Sequence, residues 1–300
     1  MRAFALGLFL FITALVAQAE ERALLGFGGL ITNDTLGDGG DRWQTGSIQG
    51  SRVLGTSVVP TRPFDLLELR LSGQVITPAR LRRPVPGDRR YAGALSAGLH
   101  THWTHSSAEF ALGGDLVFVG PQTGLDGLQA AFHDLLNVTQ PSDAVRAAQI
   151  GNAVRPTLVV EVARPFGLGA ATIRPFVEGR AGAETLVRAG ADLSFGSLGA
   201  SDLRVRDAVS GQRYSVIEAE GIGTRWVIGG DIARVTGSVF LPEDGSGPAP
   251  EDTRHRLRAG VQWQAATGAR GFYGLTYLSE EFAGQPAGQV VGSFNLRLRF

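Results

Sequence analysis

Two residues in the middle of the chain carry the first chemical signal. Gln129 and His133 are four positions apart in Gln129-Ala130-Ala131-Phe132-His133, the spacing that puts both side chains on one face of a helix. A histidine with an ordinary pKa near 6.5 can take a proton from water at neutral pH, so His133 is a candidate general base. Near the start, Asn33 and Asp34 precede a Gly- and Asp-rich loop, Thr35–Asp41, and Thr45 follows it. A carboxylate with amide and hydroxyl oxygens beside it is a donor set for a hard divalent cation. Such a cation polarises an ester carbonyl and stabilises the oxyanion that forms. The combined chemistry is ester hydrolysis by activated water. A carboxylate near the histidine would hold the cation, the Asn33 carbonyl and Thr45 hydroxyl would complete the shell, and Gln129 would orient water or donate to the substrate. The competing reading of a lone histidine on an amphipathic helix is a structural one.

The elements that would position these residues are mostly strands. Ala23–Thr32 reads as a first strand and Gln44–Leu54 as its return, a hairpin that brings Thr45 close to Asn33 and Asp34. Leu66–Ile76 alternates apolar and polar residues, the period of a strand between two environments. Tyr91–Trp103 and Ala108–Val119 follow, joined by a tight turn at Ser106-Ser107. Gly127–Val138 then breaks the pattern, with Leu128, Phe132, Leu135 and Leu136 at helical spacing. Alternation resumes near Thr157–Val162, Ala171–Gly179, Leu186–Phe195 and Arg213–Ile222. The extension through Phe240, carrying Asp231, fits no element cleanly. Strands near His255–Gln264, Phe272–Leu278 and Val290–Phe300 complete a count of about twelve.

That count and the strand lengths predict an all-β fold, a 12-stranded antiparallel transmembrane β-barrel with both ends in the periplasm. In Ser293–Phe300 the residues Phe294, Leu296, Leu298 and Phe300 would face lipid, with Ser293, Asn295, Arg297 and Arg299 facing the lumen. An arginine on the lipid side costs roughly 2–4 kcal/mol near the midplane, which fixes that choice. Residues 1–19 read as a secretory signal peptide: Arg2, an apolar run from Ala3 to Val16, then Ala17-Gln18-Ala19. Residues 20–300 would form the barrel. The chain carries 28 basic and 28 acidic side chains, and every basic one is arginine. This neutral balance argues against nucleic acid as a partner, and no obligate protein partner is evident. There are no cysteines, so thiolate metal sites and disulfides are excluded.

Two arginine and histidine clusters have both bland and functional readings. The loop Pro78–Arg90 holds Arg80, Arg82, Arg83, Arg89 and Arg90; charged loops are commonly just solvated, but arginine clusters also bind phosphate bidentately. His100 and His102 would share one strand face while His105 points the other way, which favours a luminal polar role over a metal site.

Several motifs resemble one family, the outer-membrane lipid A 3′-O-deacylases. Asn33-Asp34 with Asp41-Arg42-Trp43-Gln44-Thr45-Gly46 resembles its N-terminal signature. Gln74-Val75-Ile76-Thr77-Pro78 resembles its Q-x-x-T-P, and Asp88-Arg89-Arg90-Tyr91-Ala92-Gly93 its D-R-x-Y-A-G. Gly120-Pro121 followed by Gln129-x-x-x-His133 resembles its G-P…Q-x-x-x-H, and Glu281-Phe282-Ala283-Gly284-Gln285 its E-F-x-G-Q. The matches run in order over nearly the whole mature chain. The resemblance implies an outer-membrane, Ca2+-dependent carboxylic ester hydrolase that removes the 3′-linked acyloxyacyl group of lipid A in lipopolysaccharide. Its site would face the extracellular side, between the barrel wall and a short helix from an extracellular loop. Carried over, His133 is the base, Asp34 binds the cation, and Asn33, Thr45 and Gln129 line the site. Two departures stand out. The family's lysine has no counterpart here, which leaves arginines of the Arg80–Arg90 loop, and a planar guanidinium is not an ammonium point charge. The family's glutamate shortly after the histidine is also missing, which leaves Asp134 or Asp143. The rival readings are a catalytically impaired barrel of the same family with a structural or binding role, and an outer-membrane phospholipase.

Overall fold

The computed structural model describes residues 22–198, 202–218, 221–245 and 247–298. The expected signal peptide, and Arg299 and Phe300 of the expected last strand, lie outside them. The wall of the fold is one antiparallel sheet. Its strands in chain order are β1 (Ala23–Asn33), β2 (Trp43–Gly55), β3 (Leu66–Thr77), β4 (Ala92–His105), β5 (Ala108–Val119), β6 (Ala153–Ala163), β7 (Phe166–Leu168), β8 (Ala171–Ala181) and β9 (Glu184–Gly196). After an inner hairpin come β12 (Gly223–Ser238), β13 (Thr253–Gln264), β14 (Arg270–Leu278) and β15 (Gln289–Arg297). Short β7 continues the line of β6 past Arg164-Pro165, and both pair with β8, so the thirteen strands occupy twelve wall positions. Pairing of β1 with β15 closes the barrel. The expected twelve-stranded barrel is thus the observed fold.

Period-two alternation decides the two faces. Ile31, Ile48, Leu71, Leu99, Leu158, Val187, Ile228, Leu257 and Leu275 remain exposed around the outside, an apolar band that suits lipid. Leu296 and Leu298 point outward and Ser293 is fully buried, as their alternation requires. Inward-facing residues are largely charged and paired. Arg206 binds Glu161 and Asp192, Arg258 binds Asp192 and Asp231, and Arg70 binds Glu68. His100 bonds Asp115 at 2.9 Å and His102 bonds Glu68 at 2.7 Å, the luminal role their shared face implies.

One segment departs from the expected layout. Arg213–Ile222 was expected as a wall strand. Instead β11 (Arg213–Ile217) pairs with β10 (Leu203–Arg206) as a separate hairpin. The wall position belongs to Gly223–Ser238, the stretch with no clean sequence pattern. The hairpin sits in the lumen, where Val205, Tyr214, Val216 and Ile217 pack on Leu30, Val53, Leu66 and Phe272 of the wall. Its arginines join the luminal ion pairs. Alternation did not separate these alternatives, because a strand between an apolar wall and a polar lumen has the same period as one between lipid and lumen.

The described chain enters and leaves at one end of the barrel, here the terminal end. The opposite, distal end carries the segments 34–42, 78–91, 120–152, 182–183, 239–252 and 279–288 between wall strands. Segment 120–152 folds into helices α1 (Leu125–Leu136) and α2 (Asp143–Ala147). Gly124 caps α1 at φ +67° and Asn137 ends it at φ +55°, left-handed conformations that these residue types tolerate.

Candidate active site

The site is built from two pieces, the β1–β2 turn and α1. In the turn, Asn33 donates from Nδ2 to the Thr45 carbonyl at 2.9 Å, and its Oδ1 accepts from the Thr35 amide at 2.8 Å. The Asp34 amide also donates to the Thr45 carbonyl, and the Asp34 carbonyl accepts from the Gly37 and Gly39 amides. Side chain and backbone of two adjacent residues therefore fix the turn. The β2–β3 register shifts between Gln44 and Gly46, which makes Thr45 the extra residue of a bulge, a device that re-aims a side chain beside a site. Thr45 Oγ1 lies 2.7 Å from Thr77 Oγ1, and the Thr45 hydroxyl also bonds the Asp41 carboxyl.

Asp34 is 1% exposed. Its Oδ2 accepts from the Arg42 amide at 2.9 Å, while Oδ1 is buried with no hydrogen-bond partner. Burial pushes the carboxyl up to about 7, the Arg42 amide pulls it back, and the Asp41 charge adds to the rise. Burial also raises Asp41, against the opposing pull of His133 and Thr45. Asp34 is thus held out of water, and the charge of the partly exposed Asp41 beside it disfavours its own.

Helix α1 presents the second piece. Its buried residues are Gln129 and His133, and Leu128, Phe132, Leu135 and Leu136 are exposed. The polar edge faces the protein and the apolar stripe faces outward. Close approach of the helix to the wall depends on Gly93 in β4, where a Cβ would sit 2.7 Å from Thr123 Oγ1 and 2.9 Å from Leu125 Cβ. His133 Nδ1 lies 2.7 Å from the Thr139 carbonyl. A carbonyl only accepts, so Nδ1 carries the hydrogen and Nε2 keeps its lone pair. Gln129 Nε2 is 3.3 Å from that lone pair, and Gln129 Oε1 is buried without a partner.

Asp41 joins the two pieces: its Oδ2 is 3.8 Å from His133 Nδ1 and its carboxyl bonds Thr45. All five residues singled out from the sequence, Asn33, Asp34, Thr45, Gln129 and His133, therefore belong to one assembly. Two others were missed. Asp41 and Tyr91 both stand inside quoted motifs, and only the fold reveals their surroundings. Tyr91 is buried with its hydroxyl unpartnered, and burial, then the charge of Asp126, pushes the phenol up.

The acids and arginines considered for the two departures sit elsewhere. Asp134 accepts from Gln140 in an exposed contact, and Asp143 pairs loosely with Arg146 at 3.9 Å. Arg89 is buried against Glu281, which also accepts from Gln44. Arg90 binds the Ala148 and Gln149 carbonyls, and Arg80, Arg82 and Arg83 are exposed.

Among the described residues no cluster of three or more His, Cys, Asp or Glu is placed to hold a metal. Calcium, however, takes carbonyl, amide and water oxygens beside carboxylates, and the unpartnered Asp34 oxygen beside Asp41 is the kind of group a cation would satisfy.

A family model described as outer membrane protein LpxR matches residues 4–300. The solved structure of LpxR from Salmonella typhimurium has the same fold, with a TM-score of 0.77 at 16% identity, covering 92% of this chain and 100% of that one. The beta domain of the Bordetella autotransporter BrkA covers 92% of this chain and 100% of that one, but at 12% identity and a TM-score of 0.41 it is too distant to bear on the site. No curated protein matches the chain. Motifs, barrel and family model agree, and the chain belongs to the LpxR family of outer membrane proteins.

Proposed function

We propose that this barrel hydrolyses the 3′-linked acyloxyacyl ester of lipid A, using water activated by His133. The observation that carries the reading is the state of His133. The Thr139 carbonyl fixes its tautomer, so the basic lone pair is on Nε2, where Gln129 Nε2 donates to it at 3.3 Å and the attacking water would take its place. In this role Nε2 takes the proton from the attacking water. Gln129 donates to the same region and holds the water's position. Asp41 faces the Nδ1 side at 3.8 Å and favours the imidazolium that forms. No acyl-enzyme is involved, because water is the nucleophile.

Asp34 and Asp41, with oxygens of Asn33 and Thr45, would hold Ca2+. When bound there, the ion polarises the ester carbonyl and offsets the negative charge that develops on it. Loop lengths support an orientation: two-residue turns occur at both ends, but the long terminal segment 197–222 folds back into the lumen while the long distal segments do not. Outer-membrane barrels keep short turns in the periplasm and long loops outside, so the site faces the extracellular side, where lipid A resides. Arg80, Arg82 and Arg83 would dock its phosphates.

The test is mass spectrometry of lipid A from outer membranes carrying this chain, with calcium or a chelator, beside His133→Ala. The expected result is loss of the 3′ acyloxyacyl mass, dependent on calcium, and slowed about 10²–10⁴-fold in the variant. Unchanged lipid A from a folded barrel would instead assign the catalytically impaired role, which the missing lysine and glutamate favour.

A further inference from the structure

The barrel's closing seam is only partly zipped. Among the described residues, β1 and β15 pair only at Ile31–Phe294, Thr32–Ser293 and Asn33–Gly292, although β1 runs on to Ala23 and β15 to Arg297. Below Ile31, side chains replace the ladder. Asn295 Nδ2 donates to the Gly29 carbonyl at 3.1 Å, and the Arg297 guanidinium donates to the Phe27 carbonyl. Unpaired strand edges are costly against hydrocarbon, which has no hydrogen bonds to offer. A gap in the ladder at this depth is therefore a feature to explain.

A groove of about 1280 Å³ occupies the gap. It is lined by Phe27 and Ile31 from the outer face and by Tyr214 and Phe272 from the lumen. An intact wall would keep these two sets apart, so the groove passes through the seam. Its outer part is apolar and its upper end reaches Asn33 and Gly46. Arg270 and Arg297 share the single carboxylate of Glu218 at 2.8 and 2.7 Å, and the Arg297 guanidinium reaches through the seam to stack on the Phe27 ring, 4.0 Å from its centre. Arg270 Nε is buried there without a hydrogen-bond partner. An apolar mouth leading to two guanidiniums and one carboxylate matches an anionic single-chain amphiphile.

We propose that the seam groove binds one long-chain carboxylic acid, with its tail along the outer wall at Phe27 and Ile31 and its carboxylate between Arg270 and Arg297. The groove stands on its own geometry, so a barrel inactive on lipid A would still bind the acid. The experiment titrates the full-length barrel, in neutral-detergent micelles, with a fluorescent medium-chain fatty acid. Saturable binding is expected, displaced by palmitic acid and not by methyl palmitate. Arg270→Gln with Arg297→Gln should weaken it about tenfold. A second variant uses the absence of cysteine in the chain. Gly29→Cys with Leu296→Cys continues the Ile31–Phe294 register, so its disulfide zips the seam; probe affinity should fall on oxidation and return on reduction. Absence of saturable binding overturns the proposal. So does equal displacement by the methyl ester, which would mean a neutral lipid fills the groove, or unchanged affinity in a folded arginine variant.

Discussion

In its proposed role, Asp34 ties cation, proton and stability together in a single side chain. Its carboxyl is raised from 3.8 to about 7 in the fold by burial. Without a cation, the folded chain keeps that proton between these values while the unfolded chain has lost it. The contribution of Asp34 to stability is then greatest in acid and declines as pH rises through about 7. Cation binding must displace the proton, so calcium affinity should weaken below about pH 7. Calorimetry in buffers of different ionisation enthalpy would read the released proton; affinity flat from pH 5 to 8 would refute this. Asp34→Asn keeps the acceptor for the Arg42 amide and should raise cation-free thermal stability above neutrality, with the calcium response lost. Residue types and order exposed Asn33, Asp34, Thr45, Gln129 and His133. Asp41 and Tyr91 escaped because their importance lies in what surrounds them: a carboxyl facing His133 across a chain separation of about ninety residues, and a phenol buried without a partner.

At the scale of elements, α1 reverses the usual rule for an amphipathic helix. A helix on a soluble protein buries its apolar stripe; here Gln129 and His133 are buried and Leu135 is 79% exposed. The barrel's surroundings account for this, since hydrocarbon covers the outer wall and the polar edge must find the protein. The outward stripe is a membrane-facing surface. Leu135→Asp is therefore expected to leave barrel stability within about 0.5 kcal/mol while slowing hydrolysis of lipid A in membranes; a soluble short-chain ester should be cut as before. Equal rates on lipid A would argue that the stripe has no membrane role. Gly93→Val should act differently, lifting the helix off β4 and slowing both substrates. The sequence marked this helix within two residues at each end, but not which face turned inward, because periodicity reports an apolar stripe and not its neighbour.

At the scale of the whole molecule, the lumen is obstructed, with cavities left around an inner hairpin. The β10–β11 hairpin packs an apolar side on the wall, and Arg206 ties it to Glu161 of β6 and Asp192 of β9. A barrel so plugged should pass no ions in planar bilayers. Replacing residues 202–218 by a short Gly-Ser turn should open steady conductance; a silent barrel after that deletion would mean that wall side chains alone close the lumen. The barrel was legible from alternation and strand length. The plug was not, because Arg213–Ile217 alternates like any wall strand and its partner β10 is only four residues long.

The hairpin also imposes a schedule on biogenesis. With the site facing outward as proposed, segment 120–152, which carries His133, must reach the far side of the membrane, and the interior of an unplugged barrel would spare its charges a passage through hydrocarbon. The hairpin blocks that route once seated and grows from the near side, between β9 and β12. The expected order therefore puts its docking last, as a latch that drops behind the exported segment. Protease supplied from the near side during insertion should cut at 207–212 in immature barrels and spare mature ones; protection of the hairpin before export of 120–152 would reverse the order.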